Sequence, residues 1–147
     1  MRNEQTEFND RLILNLSKEN TVEAKRERKK FIIDFYSQWI AANSTKQIFN
    51  KSLNDFINIR FLSIQETAGH ASHTYKSTLA VSYLSEILEN AKQITRVSPK
   101  QENKNQRRFS EIIVMEHSKD DFGKIKLTVG VLRGSKQKVQ YCVTAIE

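Results

Sequence analysis

Lys124-Ile125-Lys126-Leu127-Thr128-Val129-Gly130-Val131 decides the fold, because apolar side chains hold every second position through it. A period of two is that of a half-buried strand, in which Ile125, Leu127, Val129 and Val131 point to one side and Lys124, Lys126, Thr128 and Gly130 to the other. Residues 138–146 repeat the pattern: Val139, Tyr141, Val143 and Ala145 form one set, and Lys138, Gln140, Cys142 and Thr144 the other. Strands are expected at 93–98, 109–117, 124–133 and 138–146. The connections Lys119-Asp120-Asp121-Phe122-Gly123 and Gly134-Ser135-Lys136-Gln137 are short and carry glycine, which favours hairpins and makes the last three strands an antiparallel meander.

Upstream the period is helical. Phe8, Leu12 and Leu16, with Ile13, give one stripe over residues 4–17. Asn20 and Glu23 have the spacing of a capping box, opening a helix of about 20 residues whose charged first half, residues 24–30, reads as a solvated face. Phe31, Ile32, Phe35, Tyr36, Trp39 and Ile40 form its buried face. The segment 46–53 is ambiguous, and the alternation of Ile57, Ile59 and Phe61 suggests a strand at 56–61. Ser63 and Glu66 repeat the capping-box spacing, so a short helix is expected from Ile64 to about Ser72. A further helix, capped by Thr74 or Ser77, runs to Asn90. Helices first and strands last predict an α+β fold, with N-terminal helices packed on one face of a C-terminal antiparallel sheet of about four strands. The chain divides into a helical extension at 1–53 and an α+β domain at 54–147, within one compact unit.

Composition excludes several classes. A chain of 147 residues suits one domain, and its single cysteine, Cys142, can form neither an internal disulfide nor a thiolate metal site. No run approaches the ~18 apolar residues of a membrane span and the first residues are polar, so a soluble cytoplasmic protein is expected, without membrane partners. The net charge is +7, and residues 92–147, with 12 Lys/Arg against 6 Asp/Glu, hold +6 of it. A solvated, solubilising surface accounts for such an excess, and its concentration in one segment shifts weight toward a nucleic-acid partner.

Chemistry-bearing side chains are densest in Glu66-Thr67-Ala68-Gly69-His70-Ala71-Ser72-His73-Thr74-Tyr75-Lys76. Two histidines titrating near neutrality, with a lysine three residues on, can deprotonate a ribose 2′-hydroxyl, protonate a leaving 5′-oxygen and stabilise the phosphorane without a metal. Set against this, His70 and His73 can simply line a turn between helices. A metal site is the weaker reading, since it would need Glu66 or the distant His117 to complete two ligands. The sheet face turned from the helices presents Lys126, Thr128, Gln140 and Thr144, and a bulge would bring Tyr141 there instead. Glycine-rich phosphate loops are absent.

A strand, a short helix with Glu66 and His70, a helix starting Lys76-Ser77-Thr78 and ending Leu88-Glu89-Asn90-Ala91, then Lys126-Leu127-Thr128-Val129-Gly130 and Gln140-Tyr141-Cys142-Val143-Thr144 follow in order. This arrangement, over residues 56–147, resembles the ribonuclease-fold group of barnase, EndoU, the colicins and RelE. It is most similar to the branch associated with large polyvalent proteins of phages and conjugative elements. The resemblance implies a toxin-like, metal-independent endoribonuclease that needs no cofactor. It implies catalytic roles for His70, His73, Lys76, Lys126, Thr128 and Thr144, and RNA contacts from Arg107, Arg108, Arg133, Lys136, Gln140 and Tyr141. The expected partners are RNA, tRNA included, and a cognate antitoxin or immunity protein. The alternative is a non-catalytic accessory domain that binds nucleic acid or protein.

Overall fold

In the computed structural model, which describes residues 15–147, Thr21 opens the first helix. Its backbone is extended and its hydroxyl accepts from the Ala24 N–H at 3.0 Å, so helix α1 (Val22–Ala42) is capped one residue later than Asn20. The helix expected over residues 4–17 lies outside the described residues except for 15–17, which are turn and irregular backbone. Phe31, Ile32, Phe35, Tyr36 and Trp39 are buried as their spacing requires, and Arg26, Lys29 and Lys30 are solvated. Arg28 departs from the wet-face expectation. It is 1% exposed, and its guanidinium donates to the carbonyls of Ser72 (2.8 Å), Ser17 (2.7 Å), Glu19 (3.0 Å) and His73 (3.3 Å). Burial pulls its pKa down, with the Glu27 charge opposing.

The ambiguous segment is half of a hairpin, β1 (Gln47–Asn50) with β2 (Asp55–Asn58), antiparallel and entered through positive φ at Lys46 and Asn54. Buried Asn50 fastens it: the side-chain amide donates to the carbonyls of Leu88 and Ala91 and accepts from the Leu53 N–H. Three helices follow, α2 (Phe61–Ala71), α3 (Tyr75–Val81) and α4 (Leu84–Asn90). Four long or medium strands complete the sheet: β3 (Lys92–Val97), β4 (Phe109–Lys119), β5 (Gly123–Leu132) and β6 (Lys138–Ala145).

The sheet order is β1-β2-β6-β5-β4-β3. Every neighbouring pair is antiparallel except β2 and β6, which pair in parallel through Ile57↔Lys138 and Asn58↔Val139. The sheet is therefore six-stranded and mixed, where four antiparallel strands were expected. Strands of four residues are too short to register as an alternation, and the crossover through α2 to α4 permits a parallel joint.

Two helix limits also differ. Ser63 is the third residue of α2, with its Oγ accepting from the Arg60 N–H at 3.0 Å and donating to the Gln140 carbonyl, so the helix starts at Phe61. The long helix expected up to Asn90 breaks at Ser82 and Tyr83, where Ser82 Oγ donates to the Leu79 carbonyl and Tyr83 takes φ −101°, ψ 23°. Thr74 caps α3, accepting from the Ser77 N–H.

The main core lies between helices and sheet, joining Phe31, Tyr36 and Trp39 to Leu84, Ile87, Ile113, Met115, Ile125, Leu127, Val129 and Val143. A smaller cluster of Leu62, Phe109, Ile112, Val139 and Tyr141 lies apart from it. A bulge separates the two. Thr128 pairs with Cys142 but Val129 pairs with Gln140, leaving Tyr141 as the extra residue. Gln140 is accordingly buried beneath the helices, contrary to its expected place on the free face. Its amide accepts from Tyr36 Oη and donates to Thr67 Oγ1 and the Ser63 carbonyl, which satisfies a polar group that burial would otherwise penalise. Among the described residues, no helix is long and apolar enough to cross a membrane.

Candidate functional site

The bulge turns Tyr141 toward the loop between β3 and β4, and with it the site takes shape. Residues 99–108, read from the sequence only as a polar loop, fold back through turns at Asn103 and Gln106, whose side chain accepts from the Lys100 N–H at 2.8 Å. From this loop Asn105 Nδ2 donates to Glu66 Oε1 at 2.8 Å, and Tyr141 Oη donates to the same oxygen at 2.9 Å. The second oxygen, Glu66 Oε2, lies 3.3 Å from His70 Nε2, one helical turn on. The Glu66 side chain is largely buried at 12% exposure whereas His70 is 62% exposed, so a fixed carboxylate holds a solvent-facing imidazole. Burial first and the hydrogen bond to Glu66 second push the Tyr141 phenol up to about 12, so it stays a proton donor to the carboxylate at neutral pH.

His70 opens onto a cleft of about 350 Å³ lined also by Lys100, Gln106, Lys126, Thr128, Tyr141 and Thr144, with Ile112 and Val114 among its apolar walls. Strand register explains the convergence: Lys126 faces Thr144 across β5 and β6, and Glu116 across β5 and β4, while Thr128 faces Cys142 and Val114. Side chains directly opposite on neighbouring strands share a face, so one patch gathers them. Thr128 Oγ1 donates to the Cys142 carbonyl at 3.3 Å. Cys142 also lines the cleft, but burial pushes its thiol up to about 12, leaving it unreactive near neutrality.

Of the residues singled out in the sequence, His70, Lys126, Thr128, Thr144 and Tyr141 meet around this cleft. His73 and Lys76 do not line it. The His73 carbonyl takes a hydrogen bond from Arg28, and the Lys76 ammonium lies 5.4 Å over the Phe122 ring, beside the β4–β5 turn. Arg107 and Arg133 meet elsewhere, with Arg133 Nε donating to the Arg107 carbonyl, and Lys136 occupies a positive-φ position in the β5–β6 turn. His117 is engaged by Glu86 at 2.7 Å, which also accepts from Lys119. Among the described residues, no three His, Cys, Asp or Glu side chains cluster as metal ligands.

Asn105, Gln106 and Lys100 were not anticipated. Glu66 was visible at i, i+4 from His70, and that spacing carried the information. The loop residues gave no sequence signal, since nothing local tells a polar loop that it will cover a sheet face.

The fold and cleft define a small α+β domain with a polar site on the sheet face away from its main core. The family model described as large polyvalent protein-associated domain 3 matches residues 27–137, and the chain belongs to that family. The match begins inside α1, whereas the resemblance read from sequence began at residue 56. No curated protein and no solved structure matches the chain.

Proposed function

We propose that the cleft binds RNA and cleaves it by attack of a ribose 2′-hydroxyl. The observation that carries this reading is the meeting of a solvent-facing imidazole beside Glu66, His70 of α2, with Lys126, Thr128 and Thr144, which strand register gathers on one sheet face far from it in sequence. Such a constellation has the parts of a general base, its orienter and an anion clamp.

In the step envisaged, His70 takes the 2′-hydroxyl proton while Glu66, as a positioning residue, fixes its ring. The 2′-oxygen bonds to phosphorus as the bond from phosphorus to the 5′-oxygen breaks. The 5′-oxygen leaves with a proton from the Lys126 ammonium, which solvent restores, and the products carry a 2′,3′-cyclic phosphate and a 5′-hydroxyl. Thr144 donates to a non-bridging oxygen, and Thr128 does so once its hydroxyl turns from the Cys142 carbonyl. This reading gives the general acid's work to Lys126 rather than to a second histidine, since His73 lies off the cleft.

Total RNA or tRNA incubated with the protein in chelator-containing buffer should yield 5′-hydroxyl ends. His70→Ala should lower the rate at least about 100-fold, the usual scale for a lost acid–base group, with the melting temperature kept. Undiminished cleavage by His70→Ala removes the reading.

Family membership fits a second reading, a non-catalytic accessory domain of a large polyvalent protein that binds nucleic acid or protein. Salt-sensitive RNA binding with no new ends in any condition supports that one. A cognate antitoxin belongs with the nuclease reading alone, whereas association with a phage or mobile element goes with either.

A further inference from the structure

Beside the cleft lies a second cavity, of about 200 Å³, lined by Arg60, Phe61, Leu62, Gln65, Arg108, Phe109, Leu132 and Val139. Its floor is the smaller apolar cluster, and it shares that cluster with the cleft, which reaches Ile112 and Tyr141. Its rim is unusual for an apolar hollow. Phe61 is 77% exposed, the most solvent-facing large apolar side chain of the described residues, and it stands between two arginines and a glutamine. Nothing in the fold requires an aromatic ring there, because Phe61 belongs to neither apolar cluster.

The rim is also braced. Arg60 donates to the Gln137 side chain of the β5–β6 turn, and the Arg133 N–H donates to the Arg108 carbonyl, so the chain on both sides of the hollow is tied to one turn. At about 200 Å³ it falls below the roughly 300 Å³ at which sites for whole drug-sized ligands begin, so it suits a single planar heterocycle. Phe61 and Gln65 precede His70 by nine and five residues on α2, about 13.5 and about 7.5 Å along the helix axis. That spans on the order of two to four stacked nucleotides at roughly 3.4 Å each.

We infer that this cavity is a base slot for single-stranded RNA, taking a nucleobase about two to four positions from the phosphate in the His70 cleft. Phe61 stacks on the base, Gln65 hydrogen-bonds its edge, and Arg60 and Arg108 meet the adjoining phosphates. Stacking on an exposed ring flanked by cations is how single strands are held with little sequence preference. The inference rests on the cleft's reading as an RNA site.

Fluorescence anisotropy with labelled 2′-O-methyl RNA decamers, which cannot undergo 2′-attack, tests it on the full chain. One strand carries bases throughout and the other is abasic at its central positions. The wild type should bind the base-bearing strand more tightly. Phe61→Ala should weaken that binding about tenfold or more, leave the abasic strand unchanged, and be rescued by Phe61→Trp. Exposure of Phe61 makes unfolding of either variant an unlikely confusion, and circular dichroism checks it. Equal binding of both strands by Phe61→Ala and wild type overturns the slot and leaves Phe61 to a protein contact, while the cleft reading stands if RNA is still cut. A wild type that binds neither strand overturns both.

Discussion

Replacing Arg28 with methionine removes a cation that holds three separate pieces of chain together. Its four acceptors lie in the segment before α1, at Ser17 and Glu19, and in the turn after α2, at Ser72 and His73. Hydrogen bonds from a charged donor are worth about 1.5–3 kcal/mol each in favourable cases. Only the bond to Ser72 is fully buried, and the other three carbonyls can regain water when the side chain goes. Counting about 2 kcal/mol for the buried bond and about half a kcal/mol for each of the other three gives roughly 3.5 kcal/mol, the methionine chain replacing most of the packing. For a domain of this size that predicts a melting temperature lower by about 7–14 °C. Arg28→Lys should fall between, because an ammonium cannot span four carbonyls. Arg26→Met, on the wet face, should change stability by less than about 0.5 kcal/mol. Thermal denaturation followed by circular dichroism measures all three, and amide exchange should rise first in residues 15–20. An Arg28→Met melting point within about 2 °C of wild type would refute the reasoning, since those bonds would then be worth no more in the protein than in water.

Gly130→Ala should cost about 1–3 kcal/mol, read by chemical denaturation, because the new Cβ would stand 2.5 Å from the Phe109 ring, which itself packs edge-on against Tyr141. In the same variant RNA cleavage should fall, as the displaced ring disturbs the hydroxyl that holds Glu66. Asp55 accepts from Lys138 across the β2–β6 joint, and that bond, with the Phe56 N–H, draws its carboxyl below the ordinary 3.8. A lowered folded value stabilises at neutral pH and is lost as pH falls through it, so wild type should exceed Asp55→Asn by up to about 1 kcal/mol at pH 7, with the gap closing as pH falls below the ordinary carboxylate range. Lys126→Ala should weaken RNA binding for every sequence and flatten the dependence of log affinity on log salt by about one, measured by titration at several ionic strengths. An unchanged slope would take Lys126 off the phosphate.

What the sequence disclosed and what it hid divide along one physical line: periodicity reports burial on one face, and it is blind to the exceptions that make the site. β5 was legible because Ile125, Leu127, Val129 and Val131 alternate without interruption, and α1 was legible from Phe31 to Trp39. Along β6 the alternation of Val139, Tyr141 and Val143 looks equally clean, yet the bulge puts Gln140 beneath the helices and Tyr141 over the cleft. No local pattern could have revealed this, because the bulge is stabilised by Tyr36, Ser63 and Thr67, whose hydroxyls satisfy the Gln140 amide and carbonyl from far away in the chain. The same holds for Arg28, which composition assigned to a wet basic run and long-range carbonyls draw inside, and for the hairpin of β1 and β2, held by a buried Asn50. The misreadings are thus polar groups whose partners are distant in sequence. The site depends on them: without the bulge Tyr141 would face the main core, Glu66 would lose one of its two hydrogen-bond donors, and His70 would project from α2 with a less firmly held orienter.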